Sequence, residues 1–140
     1  MPISKKDREK VFNKYGGHCA YCGCEITLKS MHVDHYLSQR NFLHHILNNW
    51  RIPEHLTHLD VDDVDHIDNL MPACVSCNKY KTANHIEAFR ADLQAQAQRL
   101  RNNNPMIRLN ERFGIIQIIE KPIVFYFEKS RKNNKSKKAG

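Results

Sequence analysis

Residues 19–24 read "CAYCGC" and residues 74–77 read "CVSC", and together they contain all five cysteines of the chain. Each stretch holds a Cys-x-x-Cys pair. Four thiolates supplied by two such pairs form the tetrahedral ligand set of a structural Zn²⁺ site. The sequence therefore predicts a structural zinc site at Cys19, Cys22, Cys74 and Cys77.

Buried free cysteines or a redox pair are the alternatives to zinc. An odd number of cysteines argues against a disulfide framework. The fifth cysteine, Cys24, can in principle replace Cys22, but only Cys22 has the two-residue spacing to Cys19. We therefore interpret Cys24 as a thiol of the core.

The two pairs are 51 residues apart, from Gly23 to Ala73, whereas a compact zinc ribbon has about 15–20 residues there. Zinc would therefore join the two ends of a long insert. The candidate chemistry lies inside the insert, notably in "MHVDH" at residues 31–35, and just after it.

The fold class predicted from the pattern of residues is α+β. A helix is expected from Ser4 to Tyr15, with Ser4 as its cap and Asp7 in a capping-box position. The remaining elements are a β-ribbon over 25–36, a helix with an apolar face over 39–50 ended by Pro53, an acidic loop over 54–69, a helix over 82–101 and a C-terminal β-hairpin over 114–128.

Length and charge suggest one domain with a tail. The 140 residues fit a single domain over 1–128. Net charge is +7, but residues 129–140 hold six of the 22 Lys and Arg residues and no acid. We expect this tail to be disordered and to contact phosphate or simply to solubilise the protein. The absence of a long apolar run or a signal-like N-terminus predicts a cytoplasmic protein that is not in a membrane.

The order of the motifs "CAYCG", "HVDH" and "DNLMPACVSCNKYK" resembles the HNH endonuclease superfamily common in bacteriophages and prophages. The resemblance covers most of residues 11–90, and the catalytic core is expected over 19–90. It implies a ββα-metal core, in which two strands and a helix surround one divalent ion. This core would be stapled by the zinc site and flanked by helices.

Carried over onto this chain, the resemblance assigns the Asp-His pair to Asp34 and His35, the central Asn to Asn69 and the last position to Asn78. His35 would be the general base, and Asn69 would orient it or its loop. Asp34 and Asn78 would hold catalytic Mg²⁺ or Mn²⁺, which prefer oxygen ligands. Asn69 as a turn residue, Asn78 as a helix cap and His32 as a metal ligand remain alternatives.

Neighbouring residues of a regular strand point to opposite faces. Asp34 and His35 can therefore serve one phosphate only if the strand ends or bends at His35. Five basic residues are candidate nucleic-acid contacts, with a solvated surface as the alternative: Lys79, Lys81, Lys129, Arg131 and Lys132.

The predicted function is a metal-dependent DNA endonuclease that nicks or cleaves duplex DNA, as a monomer or homodimer. Phage packaging proteins are a second partner that the resemblance suggests. The alternatives are a zinc-stabilised DNA-binding or packaging accessory module without cleavage, and a nuclease for RNA or branched substrates.

Overall fold

The computed structural model describes residues 3–47 and 52–130 and has a mixed α+β fold. Its strands are β1 (His32–His35) and β2 (Leu70–Ala73). Its helices are α1 (Lys5–Asn13), α2 (Gln39–Leu47), α3 (Val75–Lys81), α4 (Ile86–Asn103) and α5 (Pro105–Arg112). Among the described residues, none of the helices is both long and apolar enough to cross a membrane.

Strands β1 and β2 form an antiparallel pair in which His32 lies opposite Ala73 and His35 opposite Leu70. The ribbon expected over 25–36 is therefore wrong in its extent, because only its last residues form a strand and their partner lies far along the chain. All four residues of β2 are buried. The partner of β1 is therefore the buried strand β2, which is distant in sequence, and not the residues that directly precede β1.

Helix α1 confirms the predicted capped helix, since the Ser4 hydroxyl accepts a hydrogen bond from the Asp7 amide. Its buried Val11 packs in a small core with Met31 and Leu70. Just after the helix, the Lys14 ammonium donates to the carbonyls of Ile67 and Leu70. The N-terminal helix is thereby fixed to the residues that lead into β2.

The insert between β1 and β2 contains α2 and three short 3-10 turns, at Glu54–Leu56, Val61–Asp63 and Ile67–Asn69. Phe42 of α2 is fully buried, whereas Leu47 is 81% exposed. The apolar face predicted for this helix is therefore only partly used in the core. Its predicted last residues, including Trp50, lie outside the described residues.

The helix predicted over 82–101 begins later, at Ile86. Thr82 caps the end of α3 with a φ of +53°, which is outside the helical range and stops the helix there. A short connection follows before α4 starts, and α4 continues to Asn103. The apolar spacing was correct for α4, but it did not reveal the break at Thr82.

The predicted C-terminal β-hairpin over 114–128 is wrong. Residues 114–125 form turns and extended connections without strand pairing, and residues 126–130 form a helical turn. The apolar side chains of this segment do not share one sheet, because Phe125 and Phe127 are buried while Ile115 and Ile119 are largely exposed. Residues 129 and 130, expected to begin the disordered tail, belong to the helical turn.

The C-terminal segment instead adds to the core around the first cysteine pair. The amides of Tyr126 and Phe127 donate to the carbonyls of Tyr21 and Ala20, respectively. The rings of Phe125 and Phe127 both meet Tyr21 edge to face, with centroid distances of 5.8 and 6.3 Å. These contacts give the segment a fixed place without a β-ladder.

The chain expected to form one domain over 1–128 divides into two compact units. The first contains the described residues up to Ile86 and those from Val124, and the second is Glu87–Ile123. In the second unit, Asn104 caps α5 through the Met106 amide, and Arg101 forms ion pairs with Glu111 and Glu120. All the predicted site residues that the structure describes belong to the first unit.

Phe127→Ala should lower the free energy of unfolding by about 3–5 kcal/mol, because it removes a buried ring from a packed aromatic cluster. Phe113→Ala is the matched control, since its ring is 74% exposed and its loss should change stability by less than about 0.5 kcal/mol. Urea unfolding followed by circular dichroism measures both. Equal effects of the two substitutions would show that the C-terminal segment is not part of the core.

Candidate functional site

Four cysteine thiols from two distant parts of the chain converge at one place. The sulfur atoms of Cys19, Cys22, Cys74 and Cys77 all lie within 4.8 Å of one another. The sulfurs of Cys22 and Cys74 are 3.8 Å apart. Tetrahedral Zn–S bonds of about 2.3 Å would place two sulfurs about 3.8 Å apart. The cluster can therefore hold a structural metal ion such as zinc.

Backbone amides direct hydrogen bonds at the sulfurs, as a thiolate cluster requires. The Cys77 amide donates to the Cys74 sulfur at 3.4 Å. The pKa of Cys19 is lowered to about 4, first by the Cys77 thiol and then by the amides of Cys74, Cys22 and Tyr21. The same pairing raises the pKa of Cys77 above its usual range. Cys19 is therefore the thiol of the cluster best suited to bind a metal as a thiolate.

Local geometry explains why the first pair forms its turn. The Gly23 amide donates to the Cys19 carbonyl at 3.0 Å. Gly23 has a φ of +81°, and a side chain there would start 2.7 Å from the Tyr126 ring. Only glycine satisfies both requirements. In addition, the Ala20 amide donates to the Pro72 carbonyl at 2.8 Å, which joins this turn to β2.

The interpretation of Cys24 as a core thiol is wrong, because the residue is exposed. It lies beside the cluster, since burial and then the neighbouring thiols of Cys22 and Cys74 raise its pKa to about 12. Its backbone carbonyl accepts from the Cys19 amide at 2.8 Å. Cys24 therefore supports the turn through its main chain.

Asp34 is buried, and its carboxylate already has two strong partners. Its Oδ2 atom accepts a hydrogen bond from the Tyr21 hydroxyl and forms an ion pair with the Lys81 ammonium at 2.9 Å. Burial, and then the Asp34 charge, raise the pKa of Tyr21 well above its usual range, so Tyr21 stays a hydrogen-bond donor.

The prediction that Lys81 contacts phosphate is wrong. The side chain is 1% exposed. Its ammonium donates to the His35 carbonyl at 2.9 Å as well as pairing with Asp34. A buried ammonium needs such partners to offset its loss of hydration. Of the other candidate contacts, Lys79 and Lys129 are exposed, and Arg131 and Lys132 lie outside the described residues.

His35 is the last residue of β1, as predicted. Its side chain is 35% exposed, and its Nε2 atom lies 2.7 Å from Asp65 Oδ1. A carboxylate at this distance orients the ring and selects the tautomer with the proton on Nε2. Asp65 could not be singled out from the sequence, because it stands in an acidic run whose members look alike.

Asn69 is fully buried and holds the chain that follows His35. Its side-chain oxygen accepts from the Leu37 amide, and its nitrogen donates to the carbonyls of Leu37 and Val64. The Asn69 carbonyl also accepts from the Tyr36 amide at 2.8 Å. Asn69 thus fixes the loop after His35 through these bonds.

Asn78 lies on α3 and faces β1, where its amide nitrogen is 3.3 Å from His32 Nδ1. It is not the cap of α3, since Cys74 occupies that position. Lys81, one turn later, reaches Asp34 on the same side of the strand. The structure therefore brings His32, Asp34 and Asn78 to the α3 side of β1.

His35 is turned the other way, toward Asp65. Adjacent residues within a strand point to opposite faces. Asp34 and His35 both lie within β1, where they are paired with residues of β2. The two side chains therefore leave the end of β1 in different directions, Asp34 toward Lys81 of α3 and His35 toward Asp65. The Lys81 ammonium connects the two residues, because it bonds the side-chain carboxylate of Asp34 and the main-chain carbonyl of His35.

Cys74→Ser should abolish binding of one zinc equivalent and lower the melting temperature, because a structural zinc contributes about 10–16 kcal/mol to folding. Cys24→Ser is the matched control and should keep both the zinc and the stability. Metal content of the purified chain and a thermal melt measure these effects. Equal zinc loss in the two variants would contradict the assignment of the four ligands.

Lys81→Met should destabilise the protein by about 3–5 kcal/mol, because it leaves the Asp34 carboxylate buried without its cation. The double variant Asp34→Asn/Lys81→Met should recover part of that loss. Lys79→Met is the matched control on the exposed side of the same helix. If both single lysine variants unfold at the same urea concentration as the parent, Lys81 does not form the buried pair.

Comparisons of the chain with protein-family models, with curated proteins and with solved structures find no match.

Proposed function

We propose that the chain is a metal-dependent endonuclease of the HNH type that hydrolyses phosphodiester bonds in DNA, with His35 as the general base. The observation that carries the proposal is the pairing of His35 with Asp65 at the exposed end of β1. A solvent-accessible imidazole held by a carboxylate is an arrangement suited to taking a proton from water.

The hydrogen bond to Asp65 determines which nitrogen of His35 can act. With the proton on Nε2 donated to Asp65, the lone pair is on Nδ1 in the neutral ring. Nδ1 would remove a proton from the attacking water, and the charge formed on the ring would be next to the Asp65 carboxylate. Asn69 contributes by fixing the loop that follows His35, so that the base does not have to be ordered during the reaction.

The order of the elements also supports this proposal. An antiparallel pair, β1 and β2, is followed directly by α3, which begins at the second cysteine pair and faces β1. This order of elements supports the proposal of a ββα-metal core. The cysteine cluster, occupied by zinc in the proposal, fixes the start of α3 and therefore the position of Asn78 relative to the strand.

Asp34 and the amide oxygen of Asn78 are the residues proposed to hold Mg²⁺ or Mn²⁺. Both supply oxygen, which suits a hard divalent ion, and the bound ion would neutralise charge on the leaving oxygen. Because Asp34 Oδ2 is bonded to Tyr21 and Lys81, the proposal gives the ion the Oδ1 atom. Exposed Lys79 and the basic C-terminal residues would bind the DNA backbone.

A second candidate function is a zinc-stabilised DNA-binding or packaging accessory module that does not cleave. The observation that favours it is the Lys81–Asp34 pair. The ammonium already neutralises the carboxylate that would bind the catalytic ion, and it does so inside the protein. If this pair persists when DNA binds, the structure has a zinc-supported scaffold without a catalytic ion.

A plasmid-nicking assay with Mg²⁺ or Mn²⁺ separates the two functions. His35→Ala should slow nicking by about 10²- to 10⁴-fold, the usual contribution of a positioned acid or base. Asp65→Ala should slow it as well, through loss of ring orientation. His44→Ala removes a histidine of α2 that has no part in the proposed reaction, and it should nick like the parent.

Each variant should first be shown to retain zinc and to melt like the parent, so that a loss of activity reports on chemistry. Nicking that is equal in the parent and His35→Ala would contradict the assignment of the base. DNA binding without nicking in either metal would favour the accessory module. Parallel digestion of duplex, single-stranded, branched and RNA substrates would identify the substrate class.

A further inference from the structure

A second group of candidate metal ligands lies between β1 and β2 and includes neither a cysteine nor a residue of β1. His58, His66 and Asp68 each offer one ligand atom, and these atoms lie within 4.8 Å of one another. We propose that these three residues bind a divalent transition metal of the Zn²⁺ class. Two imidazoles and one carboxylate form a ligand set that suits such ions better than Mg²⁺ or Ca²⁺.

The distances in the group are close to those of a coordinated ion. His58 Nε2 is 2.8 Å and His66 Nδ1 is 3.7 Å from the same oxygen, Asp68 Oδ2. Metal–ligand bonds of about 2.1 Å place neighbouring ligand atoms roughly 3.0–3.4 Å apart. The two separations lie on either side of this range, and all three side chains are exposed, so side-chain movements alone would bring them to it. The two imidazole rings are nearly perpendicular, with centroids 5.5 Å apart.

A bound ion would replace hydrogen bonds that His58, His66 and Asp68 form with one another. His58 donates from Nε2 to Asp68, so metal binding moves that proton to Nδ1 and leaves a lone pair on Nε2. His66 Nδ1 accepts from the Asp68 amide at 3.1 Å, and its lone pair is therefore already in place. The Asp68 amide would exchange this partner for solvent. No proton is gained or lost by the protein as a whole when both rings are neutral.

The charges around the group favour a cation. The insert from Glu54 to Asp68 contains six carboxylates and no lysine or arginine. The carboxylates of Asp60 and Asp63 accept hydrogen bonds from each other's backbone amides in a capping box. Asp68 is the carboxylate that faces the two histidines. The positive charge that would oppose a bound cation is Lys14, which interacts with Asp68 electrostatically. Its ammonium donates its hydrogen bonds to the carbonyls of Ile67 and Leu70.

An ion at this site would close the segment between His58 and His66 into a loop. His58 follows the 3-10 turn Glu54–Leu56, and His66 caps the turn Ile67–Asn69. The closed loop carries Asp65, the partner of His35. Metal binding would therefore stabilise this part of the insert. It does so whether or not the protein cleaves DNA, because the three ligands are not part of the proposed reaction.

The test is a zinc titration of the full, tag-free chain by isothermal calorimetry, starting from protein that carries one zinc equivalent at the cysteines. We expect a second, weaker equivalent. His58→Ala and His66→Ala should each weaken it at least tenfold, because even residues that only support metal ligands contribute roughly 10- to 100-fold to affinity. His44→Ala is the matched control and should bind like the parent.

Histidine side-chain NMR signals provide the second measurement. The signals of His58 and His66 should shift on addition of the second equivalent. The signal of His35 should stay unchanged, because its ring keeps the tautomer that is bonded to Asp65. Both substituted histidines are exposed, so the variants should keep the first zinc and a cooperative thermal transition, with a small loss of stability in His66→Ala from the missing cap. The proposal would be overturned if no zinc binds beyond the equivalent already held at the cysteines. It would also be overturned by a second equivalent whose affinity is the same in the parent and both variants.

Discussion

The meeting of four cysteine sulfurs is the constraint on which the rest of the first unit depends. It joins the turn after α1 to the junction of β2 and α3, across 51 intervening residues. Closing a loop of that length costs about 3.5 kcal/mol in chain entropy beyond a constant. A structural zinc supplies roughly 10–16 kcal/mol. With zinc bound, the long insert can therefore carry irregular structure without loss of the fold.

The consequences of that constraint are local and can be followed outward. The turn at Cys19–Cys22 places Tyr21 beneath β1, where its hydroxyl reaches Asp34. The second pair begins α3, and the next turns of this helix bring Asn78 to His32 and Lys81 to Asp34. On the other side of the strand, His35 and Asp65 are exposed to solvent. The strand thus separates a neutralised, buried carboxylate from an accessible imidazole.

The sequence was informative where a local pattern has one physical solution. Two Cys-x-x-Cys pairs predicted the thiol cluster, Ser4 and Asp7 predicted a helix start, and apolar spacing predicted most of α4. It failed where tertiary contacts decide. Lys81 looks like any basic residue on a helix until Asp34 is placed opposite its side chain. The "IVFYF" segment has strand-like residues, yet Phe125 and Phe127 gain more by packing against Tyr21 than by forming a hairpin. His35 and Asp65 are 30 positions apart. Their pairing depends on the path of the chain between them, which no local pattern specifies.

X-ray absorption at the zinc edge, on the full chain loaded with one zinc equivalent, tests the central constraint most directly. The account predicts a single shell of four sulfur atoms at about 2.3 Å and no nitrogen or oxygen ligands. A shell containing nitrogen or oxygen at about 2.0–2.1 Å would contradict it, since the strongest zinc site would then involve histidine or carboxylate side chains rather than the four cysteines alone.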